Sequence, residues 1–222
     1  MNTRLNAALK NNTYWDKIPI RDKIFHINRV KNISNLLDAL SDDEFSQDER
    51  LPYWADIWPS AISLAEYILD NRYEFMDKKV LEIGCGLGLV GIAATAIGAD
   101  VMFTDHDDHA LAYTQINFKR NFKRNASVKR MDWRERHTTE AYDFILGADI
   151  LYEKRWLAPV YNVITKKLKL DGCVLIAEPN RTVAGDFFTM IERGSYKKQS
   201  WLKRTKVCNK LHSVTIHRIS KC

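Results

Sequence analysis

The stretch Val80-Leu81-Glu82-Ile83-Gly84-Cys85-Gly86-Leu87-Gly88 decides the fold of this chain. An apolar run ends in three glycines at alternate positions, and an apolar helical pattern follows over residues 89–98. Glycine at such a turn lets a ligand approach the backbone, because no side chain blocks the way. The stretch therefore predicts a strand, a glycine-rich turn and a helix that together bind a nucleotide-like cofactor.

Strand-like and helix-like segments alternate on both sides of this turn, as is typical of repeated β-α units and a mostly parallel sheet. The predicted strands are residues 79–84, 100–105, 127–133, 144–148 and 173–177. The predicted helices are residues 59–69, 89–98, 107–120, 153–169 and 181–193.

The chain then changes pattern, with two strand-like runs at 196–204 and 211–220 that leave no room for a helix between them. They predict an antiparallel hairpin on the sheet edge. A dinucleotide-binding domain would instead continue with further β-α units. The layout resembles that of class I methyltransferases: a Rossmann-like seven-stranded α/β sheet, mostly parallel, with helices on both faces.

A length of 222 residues with 45% hydrophobic content suits one core. We predict a single domain over residues 51–222 and an N-terminal extension over residues 1–50. The extension contains a candidate hairpin at 18–30, a short helix at 33–40 and an acidic turn at 41–49. We interpret it as a lid or a substrate-recognition element.

Two cofactor classes fit the glycine-rich turn, since Gly86-Leu87-Gly88-Leu89-Val90-Gly91 also matches the GxGxxG pattern of dinucleotide enzymes. Charge favours S-adenosylmethionine (SAM). A pyrophosphate binds amide donors, whereas SAM carries an ammonium and a sulfonium that anions stabilise. Glu82 supplies a carboxylate at the strand end, and Gly84 follows the apolar run earlier than the GxGxxG register requires.

Carboxylates also close the next two strands. Asp105 can accept hydrogen bonds from both ribose hydroxyls of either cofactor. Asp132 can accept from the adenine amino group, and Trp133 can cover a ring face. Taken singly, Glu82 also fits a solvated strand-end charge, Asp105 a helix cap and Trp133 a core side chain. Their combined spacing favours a SAM site.

These motifs resemble methyltransferase family 16, the seven-β-strand protein-lysine methyltransferases, over about residues 51–181. The segments that carry the resemblance are Pro52-Tyr53-Trp54-Ala55-Asp56-Ile57-Trp58-Pro59, Leu81-Glu82-Ile83-Gly84-Cys85-Gly86-Leu87-Gly88, Asp132-Trp133 and Gly147-Ala148-Asp149-Ile150-Leu151-Tyr152. The Pro-Tyr-Trp-Ala entry and Glu178-Pro179-Asn180-Arg181 are similar to the branch that methylates the electron transfer flavoprotein β-subunit. Leu151 departs from the family's Phe, and Glu178 from its Asp.

The resemblance implies SAM as the cofactor, S-adenosylhomocysteine as the product and a protein, through a lysine, as the substrate. It implies that Trp58 packs against SAM, that Glu82 and Gly84 contact its amino acid part and that Asp105 holds the ribose. The complete predicted SAM-binding set is Trp58, Glu82, Gly84, Gly86, Gly88, Asp105, Asp132, Trp133 and Ala148.

The resemblance also implies that Asp149 and Tyr152 face the methyl-transfer site. Methyl transfer to lysine is an in-line displacement that needs a neutral, oriented amine. Asp149 can accept from the incoming ammonium and Tyr152 can shape the channel, so we expect positioning and desolvation rather than a strong base. Alternatively, Asp149 caps the helix at 153 and Tyr152 is ordinary packing.

Composition leaves rival functions open. The net charge of +6 is a modest excess, but residues 119–136 and 193–221 are basic stretches. If they share a face with the active site, they could recruit an acidic protein surface or RNA phosphates. The Asn-Pro-Pro-Tyr-like tetrapeptide of base-amino methyltransferases is absent, which makes RNA the less favoured substrate. The same motifs also fit a small-molecule amine methyltransferase or a SAM-binding protein without catalysis.

The start MNTRLNAALKNN has no apolar core of the kind that a secretory signal needs, and residues 87–99 are too few to span a bilayer. We expect a cytoplasmic protein with no membrane partner and with reduced thiols at Cys85, Cys173, Cys208 and Cys222. His106 and His109 flank two aspartates at a helix start, where Asp is a normal cap, so we expect no metal. No prediction of oligomeric state follows.

Overall fold

The computed structural model of the protein describes residues 3–39, 51–135, 140–207 and 209–222. Its strands are β1 (Thr13–Ile20), β2 (Lys23–Val30), β3 (Lys79–Ile83), β4 (Asp100–Asp105), β5 (Ser127–Arg130), β6 (Tyr142–Ala148), β7 (Leu168–Glu178), β8 (Tyr196–Val207) and β9 (Lys210–Lys221). Its α-helices are α1 (Thr3–Leu9), α2 (Ser34–Leu37), α3 (Pro59–Asp70), α4 (Arg72–Phe75), α5 (Leu89–Thr95), α6 (Asp108–Phe122), α7 (Lys154–Lys167) and α8 (Ala184–Arg193), and a 3-10 turn covers Tyr53–Ala55.

Seven strands form the central sheet in the order β5-β4-β3-β6-β7-β9-β8. Strands β3 to β7 pair in parallel, and β9 runs antiparallel between β7 and β8. The class I methyltransferase layout with its terminal hairpin, predicted from the sequence, is therefore confirmed. β1 and β2 form a separate antiparallel hairpin.

The sheet is buried on both faces because its central strands are apolar at most positions. Side chains alternate between the faces: Phe144 and Leu146 pack with α3, α5 and α6, whereas Ile145 packs with α7 and α8. Two helical layers thus hold the carboxyl ends of the parallel strands rigidly at one edge.

The N-terminal hairpin packs onto the outer side of the first helical layer. Phe25 and Ile27 belong to the same hydrophobic core as α3, α5 and α6. The backbone N–H groups of His26 and Asn28 donate to the Asn121 and Asn117 side chains of α6, at 3.0 and 2.7 Å. The predicted division at residue 50 stays a prediction, and the acidic turn predicted at 41–49 lies outside the described residues.

Most element boundaries agree with the prediction to within a few residues. Three elements differ from the prediction. β5 ends at Arg130 rather than at residue 133. β7 begins at Leu168 rather than at residue 173, because Leu168 pairs with Tyr142 ahead of the exposed residues Leu170 and Asp171. α1 was not predicted. Among the described residues no helix combines the length and apolar character that a membrane span needs.

Candidate functional site

A pocket opens at the carboxyl ends of β3, β4 and β6, on either side of β3, where open α/β sheets bind ligands. Of the predicted SAM-binding residues, those that line it are Trp58, Glu82, Gly84, Gly86, Asp105, Trp133 and Ala148. Both predicted catalytic residues, Asp149 and Tyr152, line it too. Gly88 and Asp132 are not among its lining residues.

The glycine-rich turn brings the backbone itself to the pocket wall. Gly84 and Gly86 have φ values of 64° and 53°, in the left-handed region that favours glycine. A Cβ on Gly84 would lie 3.2 Å from the indole of Trp133. Gly88 is the N-cap of α5, and a Cβ on it would lie 2.9 Å from the Thr114 side chain, so it faces α6 rather than the pocket.

Glu82 places a buried carboxylate in the pocket wall. Its Oε2 accepts a hydrogen bond from the Gly91 backbone N–H at 3.0 Å. Burial raises the pKa of Glu82 to about 8, against the lowering effect of that hydrogen bond, and the nearby Asp105 raises it further. No described basic side chain pairs with it. This carboxylate is suited to bind a cationic group that enters with a ligand.

Asp105 organises the loop beside it. Its Oδ2 accepts from the Gly86 N–H at 2.9 Å, and its Oδ1 accepts from the Asp107 N–H at 3.1 Å. Asp107 in turn caps α6 by accepting from the His109 N–H at 2.7 Å. Asp105 therefore holds the glycine turn and the start of α6 in place; its contact with a ribose stays a prediction.

The charge of the pocket separates the two cofactor classes. The carboxylates that line it are those of Asp56, Glu82, Asp105, Asp107 and Asp149, whereas none of the lysines and arginines that the structure describes lines it. A pyrophosphate would be repelled here, whereas an ammonium and a sulfonium would be stabilised. The residues present thus fit SAM and do not fit a dinucleotide.

Trp133 and Asp132 differ in position. Trp133 forms part of the pocket wall and meets Trp156 edge-on at 5.9 Å. The Asp132 carboxylate is held by the Arg134 guanidinium, with N–O distances of 2.9 and 2.5 Å. This hydrogen-bonded pair lowers the pKa of Asp132 to about 2. The contact of Asp132 with adenine stays a prediction, since its carboxylate is engaged by Arg134 and lies outside the lining.

A second cavity of about 230 Å³ adjoins the first. Its lining residues are Tyr53, Trp58, Asp149, Tyr152, Glu153 and Arg181. The Trp58 indole N–H donates to the Tyr53 carbonyl at 2.9 Å, and the Tyr53 and Tyr152 rings meet edge-on at 5.6 Å. Since Tyr53, Trp58, Asp149 and Tyr152 line both cavities, the second is an aromatic-walled cavity that adjoins the acidic pocket.

Asp149 lies where the two cavities meet. Its backbone has a φ of 60° and its N–H donates to the Ala177 carbonyl at 2.8 Å. Its carboxylate forms an ion pair with Arg181 and accepts from the Ser60 hydroxyl at 3.3 Å. Burial raises the pKa of Asp149, and Arg181 and Ser60 oppose that rise. These contacts do not involve the first turn of α7, so they give no support to a helix-cap role for Asp149.

Sequence reasoning gave no role to Tyr53, Ser60 or Arg181. Tyr53 and Arg181 fall within quoted motifs, but spacing along the chain cannot reveal that Arg181, after β7, reaches the end of β6. The adjacent pairing of β6 and β7 is what brings it to Asp149. The signal available was an arginine four residues after the predicted strand end at residue 177.

Residues 42–194 match a family model described as lysine methyltransferase. The chain belongs to this family. The resemblance to methyltransferase family 16 is thereby confirmed, and the SAM cofactor agrees with the family, the fold and the acidic pocket.

Relatives in the lysine methyltransferase family include protein N-lysine methyltransferase METTL21A from Xenopus tropicalis, 36% identical over 49% of this chain and 53% of that protein. The electron transfer flavoprotein beta subunit lysine methyltransferase homolog from Caenorhabditis elegans is 29% identical over 59% of each chain. The chain thus spans about half the length of the curated relatives it matches. A magnesium protoporphyrin IX methyltransferase from Synechocystis PCC 6803, solved with bound SAM, has a TM-score of 0.59 at 14% identity, over 82% of this chain and 86% of that chain. At such low identity the likeness shows the fold alone.

Proposed function

We propose that the protein transfers a methyl group from SAM to the side-chain amine of a lysine in a protein substrate. The observation that supports this most directly is the junction of the acidic pocket with the aromatic-walled cavity at Trp58, Asp149 and Tyr152. Bound SAM would supply an electrophilic methyl group at its sulfonium. A long, narrow side chain with a terminal amine fits an entrance of this kind.

In this proposal the residues of the acidic pocket bind the cofactor. Glu82 receives the ammonium of SAM, which would neutralise a buried carboxylate that otherwise has no basic partner among the described residues. Asp105 and the backbone at Gly84 and Gly86 shape the site for the remainder of the molecule. Trp58 and Trp133 supply apolar surface for it.

Asp149 is proposed to orient the incoming amine by accepting a hydrogen bond from it. The buried carboxylate is held in place by Arg181 and Ser60, which leaves its position well defined. The rings of Tyr53, Trp58 and Tyr152 exclude water, and this desolvation would lower the pKa of the lysine ammonium, so that its proton passes to solvent and a neutral amine enters. Burial raises the pKa of Tyr152, so its phenol stays protonated and can donate.

We also propose that the reaction takes place in the cytoplasm. Cys85 and Cys173 are unpaired and buried, which suits a reducing compartment.

The test is incubation of the purified protein with radiolabelled SAM and a lysate of the source organism, with and without RNase. We expect a labelled protein band that survives RNase. Asp149→Asn should lower the labelling rate about 100-fold, since a positioned polar group contributes on that scale, while the SAM Kd from calorimetry changes by less than about threefold.

The matched control is Asp186→Asn, the same chemical change at an exposed side chain of α8. This variant should label at the wild-type rate. Label only in RNA or in small molecules would contradict the proposal. No release of S-adenosylhomocysteine with any lysate fraction would favour a SAM-binding protein without catalysis.

A further inference from the structure

The C-terminal hairpin extends past the edge of the sheet that carries the site. β7 ends its pairing with β9 at Glu178, opposite Thr215. The β8–β9 ladder continues for five more residue pairs, from Lys203–Val214 to Val207–Lys210. At about 3.4 Å per residue this overhang is about 17 Å long. It projects from the same sheet edge as the pocket.

Three hydrogen bonds hold the hairpin beside the site. The Thr205 and Ser63 hydroxyls lie 2.5 Å apart, which attaches the hairpin to α3. Asn180 donates to the Ser213 carbonyl at 3.3 Å and accepts from the Thr215 hydroxyl at 2.5 Å. Asn180 directly precedes Arg181, the partner of Asp149, so the overhang is joined to the loop that lines the substrate entrance.

One face of the overhang is open. Thr205 points to α3, so Arg204 and Lys206 point to the opposite face. Leu211, the cross-strand neighbour of Lys206, shares that face and is 63% exposed. Leu202, two residues before Arg204, also shares it and is 62% exposed. We call the surface of Leu202, Arg204, Lys206 and Leu211 the hairpin platform.

Among the described residues, no acidic side chain pairs with the charges of this platform. No acidic residue occurs between residues 194 and 222. Lys203, on the other face, forms an ion pair with Asp70 at 3.4 Å, whereas Arg204 and Lys206 form no ion pair within the part of the chain that the structure describes. The second basic stretch, residues 119–136, includes β5 at the opposite end of the sheet, so the two stretches do not form one surface.

We propose that the hairpin platform docks an acidic segment with apolar side chains on the protein substrate; this rests on the proposed function. Charge complementarity selects the acidic partner, and the two exposed leucines supply apolar contact. A single-stranded RNA would need aromatic rings on which its bases stack, and the platform residues are aliphatic or cationic.

The test compares two double charge reversals. Arg204→Glu with Lys206→Glu changes the platform. Arg193→Glu with Lys197→Glu makes the same change in net charge on exposed residues at the far end of the sheet. The probe is fluorescein-labelled poly-L-glutamate, measured by fluorescence anisotropy at ~0.1 M salt. It contains no lysine, so binding is read independently of methyl transfer.

We expect the platform variant to bind the probe roughly tenfold more weakly than wild type, and the control variant to bind within about twofold of it. In the labelling assay the platform variant should need a correspondingly higher concentration of substrate protein, with an unchanged SAM Kd. Equal weakening in both variants would overturn the inference, because net charge alone would then explain it. Tighter binding of an RNA oligonucleotide, lost in the platform variant, would overturn it in favour of nucleic acid.

The two proposals fail separately. If wild type labels no protein, the proposed function fails, and the probe still decides whether the platform binds acidic chains. If wild type labels a protein and the platform variant labels it equally well at limiting substrate, only the docking inference fails.

Discussion

Replacing Glu82 with Gln should remove a pH-dependent destabilisation from the SAM-free protein. The pKa of Glu82 rises from 4.5 to about 8 on folding, chiefly through burial. Below pH ~4.5 the carboxyl is neutral in both states. Between ~4.5 and ~8 only the unfolded chain releases the proton, so the free energy of unfolding falls as the pH rises. At 1.36 kcal/mol per unit, the whole effect is about 5 kcal/mol.

Glutamine stays neutral throughout, so the difference in free energy of unfolding between Glu82→Gln and wild type should grow by about 3 to 4 kcal/mol from pH ~5 to ~8. Any cost of a buried amide N–H without a partner, about 1–3 kcal/mol, is the same at both values. Urea unfolding at several pH values, without SAM, measures the difference. A difference independent of pH would refute the reasoning, as it would mean that Glu82 ionises freely in the folded protein.

Contacts in the site lead to three more expected outcomes. Arg181→Met removes the ion pair that opposes the rise in the pKa of Asp149, so the acidic limb of the kcat–pH profile should move to higher pH. Arg181→Lys should largely restore the wild-type profile. An unmoved limb would show that Arg181 does not set the pKa of Asp149. Gly91→Ala would put a Cβ 2.3 Å from the Phe103 ring, so the free energy of unfolding should fall by about 1–3 kcal/mol, and unchanged stability in urea would contradict this packing. Tyr152→Phe keeps the ring and should leave the SAM Kd unchanged while lowering kcat. A loss of SAM binding by calorimetry would contradict this, because it would show that the Tyr152 hydroxyl binds the cofactor.

The local chemistry of the glycine-rich turn made the centre of the fold predictable. An apolar strand that ends at Gly84 requires a turn and a helix, and the period of the following segments predicted β4 and α6 almost to the residue. The start of β7 was missed because Asp171 and Gly172 interrupt its apolar run, and the pairing of Leu168 with Tyr142 across a register shift has no sequence signal.

Some residues of the site could also be predicted from the sequence, and others could not. Glu82 and Asp105 follow from their places at strand ends, because parallel strands bring their carboxyl ends together. Asp132 is different, since Arg134 two residues later holds its carboxylate, a local competition that strand spacing does not reveal. The ion pair between Arg181 and Asp149 depends on tertiary adjacency and on a left-handed backbone at a non-glycine residue, for which the sequence has no signal.

The central claim, methyl transfer to the lysine side chain of a protein, is tested most directly by the chemical identity of the labelled residue. The protein band labelled from radioactive SAM would be digested, and its modified residue located by tandem mass spectrometry. We expect Nε-methyllysine, formed about 100-fold more slowly when Asp149→Asn replaces wild type. Label on arginine, histidine or a carboxyl group, or Nε-methyllysine formed equally well by Asp149→Asn, would contradict it.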